Sequence, residues 1–316
     1  MNDFIFSVNV VLPLFLLISA GYAAKRFKFV SDAFWAETNR FVFRIPLPLM
    51  LFQNVRTAFA GNFVNPKLIL ASVIGVTCVI AVLPLIVPLF EKRKIRSGSL
   101  IQGMFRSNFI IYGMPLATGM YGDAASVPIS CMLGLIVPMY NIAAIIILTF
   151  CSNKKQFSSL SPISILREIF NNPLIISCIA GGIAGWTNVP LPHFVEVPLN
   201  DVARIAAPLA LFVMGGEFRF NSLRNNLLPV ICASAAKLVV IPLIAIAVFI
   251  QIGFRQMELA ALTVLFATPT SVSSYIMAEN MGCDGELSAQ IVVFTTAFSV
   301  FTIFLFIFAL KSLGYF

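Results

Sequence analysis

The chain of 316 residues is 59% hydrophobic and 11% charged, and its mean hydropathy is +0.95. This composition excludes an ordinary soluble globular protein, in which about 25% of the residues are charged. The net charge of +8 does not indicate a nucleic-acid partner, because most of the basic residues lie in alternate short connections between apolar runs.

Ten apolar runs of membrane-spanning length follow one another along the chain. They cover roughly residues 4–24, 35–56, 67–90, 99–121, 126–151, 171–188, 198–218, 226–250, 257–281 and 286–311. We therefore predict an all-α membrane protein with ten transmembrane helices, in contact with lipid along its length.

The distribution of Lys and Arg predicts the orientation of these helices. Twelve of the 21 basic residues lie in the first, third, fifth and seventh connections, whereas the opposite connections and the C-terminus hold four. The twelve are Lys25, Arg26, Lys28, Lys92, Arg93, Lys94, Arg96, Lys154, Lys155, Arg167, Arg219 and Arg224. The positive-inside rule makes the first set cytoplasmic and places both termini on the outer side, in a plasma (bacterial inner) membrane.

Similar pieces recur about 160 residues apart. The segment from Arg44 to Phe52 matches the segment from Arg204 to Phe212 at six of nine positions, and Ala20-Gly21 returns as Ala180-Gly181. We predict a first repeat at 1–151, a cytoplasmic connector at 152–170 and a second repeat at 171–316. Because each repeat has five spans, an odd number, the second repeat is expected to be inverted in the membrane.

The fourth and ninth spans carry helix-breaking residues. Proline lacks a backbone N–H and clashes one turn back, so Pro115 predicts a break near Gly113–Met114, and Pro269 predicts a break in the other span. Broken helices at matching positions of two repeats indicate a transporter's binding site, with half-helix ends facing an anionic substrate. The predicted site residues are Asn108, Tyr112, Gly113, Met114, Pro115, Thr268, Pro269, Thr270, Ser271, Ser273 and Ser274.

Lys237 lies near the middle of the eighth span, where a cation is costly unless it is paired or faces water. We expect it either to neutralise the carbonyl ends of the broken helices or to attract the anion. No carboxylate occupies the central turns of any span, which weakens the alternative of a sodium or proton antiporter. The sequence shows no catalytic dyad and no phosphate-binding loop, so neither an enzyme nor a cofactor or metal site is predicted.

These residues resemble the auxin efflux carrier family, which includes the PIN-FORMED proteins of plants. The marks are Asn108-x4-Gly113-x-Pro115-Leu116, Ala267-x-Pro269 followed by Tyr275-x2-Ala278-Glu279, and Lys237 five residues before Pro242. The resemblance implies crossing fourth and ninth helices and carriage of small organic anions by an elevator motion, often as a homodimer. It implies a scaffold of spans one, two, six and seven, and a moving core of spans three to five and eight to ten.

By the same resemblance, Asn108 and the backbones at Pro115 and Pro269 hold a substrate carboxylate. The short central connection differs from the long loop of the plant carriers and places the chain nearer the bacterial members. The sequence thus favours a carrier of a small mono- or dicarboxylate. Two alternatives stay open: a cation-coupled symporter or antiporter of the same architecture, and a membrane receptor that binds a ligand without moving it.

Overall fold

The computed structural model describes residues 2–59, 66–109, 112, 116, 120–121, 126–152, 173–188, 190–218 and 220–316, and this part of the chain consists of helices joined by short connections. Its α-helices, numbered α1 to α13, are Asn2–Arg26, Asp32–Arg44, Pro46–Phe59, Pro66–Phe90, Lys94–Phe105, Ser126–Cys151, Pro173–Trp186, His193–Glu217, Phe220–Ala235, Ile241–Ile252, Gln256–Ala267, Ser273–Asn280 and Gly285–Ser312. A π-helical segment, Ala236–Val240, joins α9 to α10.

The all-helical fold predicted from the apolar runs is confirmed for the described residues, and it is consistent with a membrane protein. Within the described residues, four helical stretches are long and apolar enough to cross a bilayer: Pro66–Phe90, His193–Glu217, Asn226–Ile252 and Gly285–Ser312. Large apolar side chains are exposed on outer helix faces, as at Leu85, Leu89 and Trp186. Exposed apolar area on this scale is typical of a surface that contacts lipid. The ten spans and their inverted arrangement remain predictions.

Among the described helices, the most extensive packing between the chain's N-terminal and C-terminal parts is that of α1 against α8 and of α3 against α7. Both pairs approach closely at a glycine. A Cβ atom on Gly21 would overlap the carbonyl oxygen of Phe212, and a Cβ atom on Gly181 would lie 2.5 Å from the carbonyl oxygen of Phe52. Small residues of this kind allow membrane helices to pack backbone against backbone.

We expect Gly181→Ala to destabilise the folded protein by about 1–3 kcal/mol, because the added methyl group overlaps a backbone atom that cannot rotate away. Gly182→Ala is the matched control, since its Cβ would meet only a side-chain methyl of Val55 at 3.9 Å. Thermal unfolding of the two purified variants measures the difference. Equal melting temperatures would show that the α3–α7 contact tolerates a side chain at position 181.

The π-helical segment has a local cause. Pro242 has no N–H to donate, and in an α-helix its ring would clash with the carbonyl of Leu238 one turn back. The backbone widens by one residue instead, and the Ile241 N–H donates to the carbonyl of Ala236. Such π-turns are frequent at functional sites. This one carries Lys237, whose side chain is 1% exposed.

Two helices end inside the packed interior, at Phe105 and at Ala267. The chain continues through Arg106–Asn108 after α5 and through Thr268–Val272 after α11, and α12 then begins at Ser273. The residues at both interruptions are buried except Ser271, which is half-buried, with Asn108 at 4% exposure and Thr268 and Thr270 at 0%. Backbone groups that leave a helix in such a place must find partners within the protein.

Candidate functional site

The two interruptions supply each other's missing backbone partners. The Asn108 N–H donates to the Pro269 carbonyl at 2.7 Å, and the Ser271 N–H donates to the Arg106 carbonyl at 3.3 Å. Ser107 and Thr270 form an antiparallel bridge between them. A short antiparallel pairing therefore joins the two segments where their helices stop.

Local sequence explains the second interruption. Proline at 269 disfavours the helical conformation at the residue before it, and Thr268 is accordingly extended, with φ −70° and ψ 151°. The break predicted at Pro269 lies where the sequence indicated. The break predicted near Gly113–Met114 lies outside the residues that the structure describes. Gly113, Met114 and Pro115, which were also predicted to be site residues, lie outside them as well. The end of α5 at Phe105 precedes that position and was not predicted.

The threonines of the second interruption hold the two segments together. The Thr270 hydroxyl donates to the Gly103 carbonyl at 2.6 Å, and its N–H donates to the Thr295 hydroxyl at 3.1 Å. The hydroxyls of Thr268 and Ser107 form a hydrogen bond with each other. Thr268 and Thr270 position the site, and they do not line the cavity beside it.

A cavity of about 50 Å³ lies against the paired segments. Part of its wall consists of apolar residues from α3 and α8, which are Leu47, Met50, Leu51, Ala206, Ala207 and Ala210. The rest of the wall consists of Arg106–Phe109, Ser271–Ser273 and Ile276, together with Val137, Tyr140 and Asn141 of α6. Since a buried water needs roughly 10–15 Å³ measured in this way, the cavity holds a few waters or one small molecule.

Of the predicted site residues, the structure brings Asn108, Ser271 and Ser273 to this cavity. The Asn108 side-chain nitrogen, Nδ2, is buried and has no hydrogen-bond partner in the described part of the protein. Ser271 and Ser273 share a hydrogen bond of 2.9 Å between their hydroxyls. Tyr112 and Ser274 are buried but lie outside the cavity lining.

Lys237 does not line the cavity. Its Nζ donates to the carbonyl oxygen of Phe266 at 3.3 Å, one residue before the end of α11. Carbonyl groups at the C-terminus of a helix carry partial negative charge, which a cation stabilises. Of the two roles expected from the sequence, this contact favours neutralisation of a broken helix end over direct contact with an anion.

Tyr275, the first residue of the motif Tyr275-x2-Ala278-Glu279, also points away from the cavity. Its hydroxyl donates to the Glu217 carboxylate at the end of α8, and it accepts a hydrogen bond of 2.9 Å from Asn39 of α2. These bonds join α12 to α2 and α8. The motif therefore contributes to the contact between these helices.

Sequence reasoning missed two polar residues of the site, Arg106 and Asn141. Both are buried, and both line the cavity. Arg106 is the one charged residue in the run 99–121. A charge inside a spanning segment is a functional signal in itself, and this signal would have identified it.

Comparison of the sequence with known proteins places this chain in a family. The family model described as "Membrane transport protein" matches residues 6–307. The "Putative malonate transporter" of Rhizobium meliloti (strain 1021) is 26% identical over 298 residues, which span 93% of each chain. An uncharacterized transporter of Methanocaldococcus jannaschii is 23% identical over 303 residues, or 94% of this chain and 96% of its own.

The "Auxin efflux carrier component 8" of Arabidopsis thaliana is 30% identical over 126 residues, which cover 38% of this chain and 34% of the plant protein. The resemblance to the auxin efflux carriers that was based on Asn108, Pro269 and Lys237 is thereby confirmed at the level of the family. With its family model matched over nearly its whole length, the chain belongs to the membrane transport protein family, the family of the auxin efflux carriers.

Proposed function

We propose that this protein carries a small organic anion of the carboxylate class across the membrane by elevator-type alternating access. The observation that carries the proposal is the cavity at the paired helix interruptions, which is lined by Asn108, a residue whose buried amide nitrogen has no partner among the described residues. An unpartnered buried donor is costly, and a carboxylate oxygen bound in the cavity would satisfy it.

The character of the lining supports an anionic substrate. The polar groups that reach the cavity are an arginine, amides and hydroxyls, and no carboxylate is present among the described residues that line it. A cation would meet uncompensated positive charge there, whereas an anion would meet hydrogen-bond donors. The relative named for malonate, a dicarboxylate, agrees with this substrate class.

Reciprocal contacts support two repeats related by a two-fold axis. Gly21 meets Phe212, and Gly181 meets Phe52. Gly181 lies 160 residues after Gly21, and Phe52 lies 160 residues before Phe212, so the two contacts join equivalent positions of the two repeats. Asn108 and Pro269, which are 161 residues apart, face each other in the antiparallel pairing. Equivalent positions meet in this way along a two-fold axis, as inverted-repeat transporters with central binding sites require.

The position of the cavity supports an elevator motion. Part of the wall belongs to α3 and α8, in the predicted scaffold, and the rest belongs to the interrupted segments and α6, in the predicted core. Sliding of the core along the scaffold would carry the substrate with it. The fourth and ninth helices crossing at midmembrane, the homodimer and the outer position of both termini belong to the same proposal.

Uptake of radiolabelled malonate into proteoliposomes tests the function. We expect purified wild-type protein to accumulate label several-fold above protein-free vesicles and to exchange it for unlabelled malonate inside. Acetate and succinate tested as competitors define the carboxylate class. A protein that binds and transports none of these acids would contradict the proposal.

Two further arms of this experiment separate the alternatives. Uptake that requires a sodium or proton gradient would make the protein a cation-coupled carrier of the same anion. Thermal stabilisation by malonate without any flux would make it a receptor. Carriage without either gradient is the expected result, because no midmembrane carboxylate is available in the sequence to bind a coupling cation.

A further inference from the structure

Arg106 occupies the first position after α5, where the chain leaves the helix. Its backbone is extended, with φ −78° and ψ 113°, and its side chain lines the cavity together with Asn108. The residue is 3% exposed. A guanidinium is always charged under ordinary conditions, so a full positive charge lies buried at the helix interruption.

The protein partners of this guanidinium are neutral. It donates to the Oδ1 atom of Asn141 and to the thioether sulfur of Met277. The Asn141 amide is oriented by its own Nδ2, which donates to the Val137 carbonyl at 2.8 Å and leaves Oδ1 for Arg106. No carboxylate of the described chain lies within ion-pair distance of Arg106.

Arg96, ten residues earlier on α5, shows the usual arrangement for a buried arginine. It is 8% exposed, and its Nε lies 3.0 Å from the Glu91 carboxylate. Buried charges are normally paired in this way, because an unpaired charge loses its hydration without compensation. Arg106 has no such carboxylate partner among the described residues, and it lines a cavity in which a bound anion could serve as the partner.

We propose that Arg106 forms the ion pair with the substrate carboxylate and sets the preference for anionic over neutral substrates. This inference rests on the proposed function of the cavity as a carboxylate site. The planar guanidinium suits a carboxylate geometrically, and the unpartnered Nδ2 of Asn108 lies two residues away on the same segment as a second donor. Among the described residues that line the cavity, Arg106 is the one cation, so the second group of a dicarboxylate meets neutral donors there.

The charge on Arg106 bears on the transport of a monocarboxylate such as acetate. The empty cavity retains an uncompensated cation, whereas a bound monocarboxylate neutralises it in the ion pair. Moving an unpaired charge through the membrane interior is costly. The core loaded with a monocarboxylate therefore moves more readily than the empty one, so exchange of internal for external acetate is faster than its net uptake.

The test compares a carboxylate with its uncharged amide in wild-type and variant proteins. Malonate and malonamide binding are measured by calorimetry on purified wild type, Arg106→Gln, Arg106→Lys and Asn141→Asp. Wild type is expected to prefer malonate by at least tenfold. Arg106→Gln removes this preference and leaves malonamide affinity within about threefold of wild type, whereas Arg106→Lys retains part of it.

Asn141→Asp keeps the arginine but places a protein carboxylate beside it, and is expected to abolish the malonate preference in the same way. It also keeps the inference testable if Arg106→Gln does not fold. Arg96→Gln is the matched control, and its ratio of malonate to malonamide affinity is expected to equal that of wild type.

The outcomes separate the two proposals. An unchanged malonate preference in both Arg106→Gln and Asn141→Asp would overturn the role of Arg106 while leaving the carrier function intact. If wild-type protein neither binds nor exchanges malonate, acetate or succinate, the proposed function fails and this inference fails with it.

Discussion

Asn108→Ala is expected to weaken carboxylate binding by about ten- to a hundredfold, the equivalent of one hydrogen bond to a charged group. The variant should be close to wild type in stability. In the empty protein the Nδ2 atom is buried without a partner, so its removal deletes an unsatisfied donor and breaks no bond made by that atom. Malonate affinity and melting temperature, measured on the same preparation, check both halves of the prediction.

Asn54→Ala is the control for this result. Asn54 of α3 also has a buried Nδ2 without a partner among the described residues, but it does not line the cavity. Its replacement should leave malonate affinity unchanged. If both variants bind malonate as wild type does, Asn108 has no place in the site. If Asn108→Ala instead loses stability, its side chain has a structural role.

Lys237→Met is expected to lower the rate of malonate exchange at least tenfold. Methionine preserves much of the side-chain volume but leaves the Phe266 carbonyl without its charged donor at the end of α11. A hydrogen bond to a charged group contributes about 1.5–3 kcal/mol, which is sufficient for a change of this size if it holds α11 in its transport-competent position. Lys237→Arg keeps the charge and should retain measurable exchange in proteoliposomes.

Lys67→Met provides a matched comparison. Lys67 also donates to a carbonyl at the end of a helix, that of Ile252 at 3.3 Å, but it lies at the exposed surface. Exchange should be unaffected by its replacement. Wild-type exchange in Lys237→Met would show that the buried lysine is dispensable for transport. Because the lysine does not line the cavity, malonate affinity should fall less than the exchange rate.

The sequence predicted those parts of the fold and site that depend on local chemistry. Helical segments follow from apolar runs, and the interruption at Pro269 follows from the missing N–H of proline and its effect on Thr268. The π-turn around Lys237 has a similarly local cause in Pro242, but no π-turn was predicted there.

The interruption at Arg106–Asn108 could not be predicted in this way. No proline or glycine occurs at these three positions. The helix stops there because the backbone finds partners at Arg106 and Asn108 in a segment about 160 residues away. Such tertiary hydrogen bonds leave no local pattern in the sequence. Gly113 and Pro115 lie downstream and drew the predicted break toward Gly113–Met114.

The apolar residues of the cavity wall could not be predicted from the sequence, for the same reason. Leu47 and Ala207 are ordinary apolar residues of their helices, and only the packing of α3 and α8 brings them to the cavity that Asn108 lines. Arg106 is the exception, because a charge within an apolar run carries its own signal. The predicted site was based instead on prolines and hydroxyl side chains. Two of these residues, Thr268 and Thr270, join the two interrupted segments.

A density map of the protein bound to malonate in lipid nanodiscs tests the central claim most directly. We expect density for one malonate in the cavity between α3, α8 and the paired interruptions, with a carboxylate within hydrogen-bonding distance of Asn108. Continuous helices through residues 106–108 and 268–272, or malonate density at a place remote from both segments, would contradict the carrier mechanism proposed for this protein.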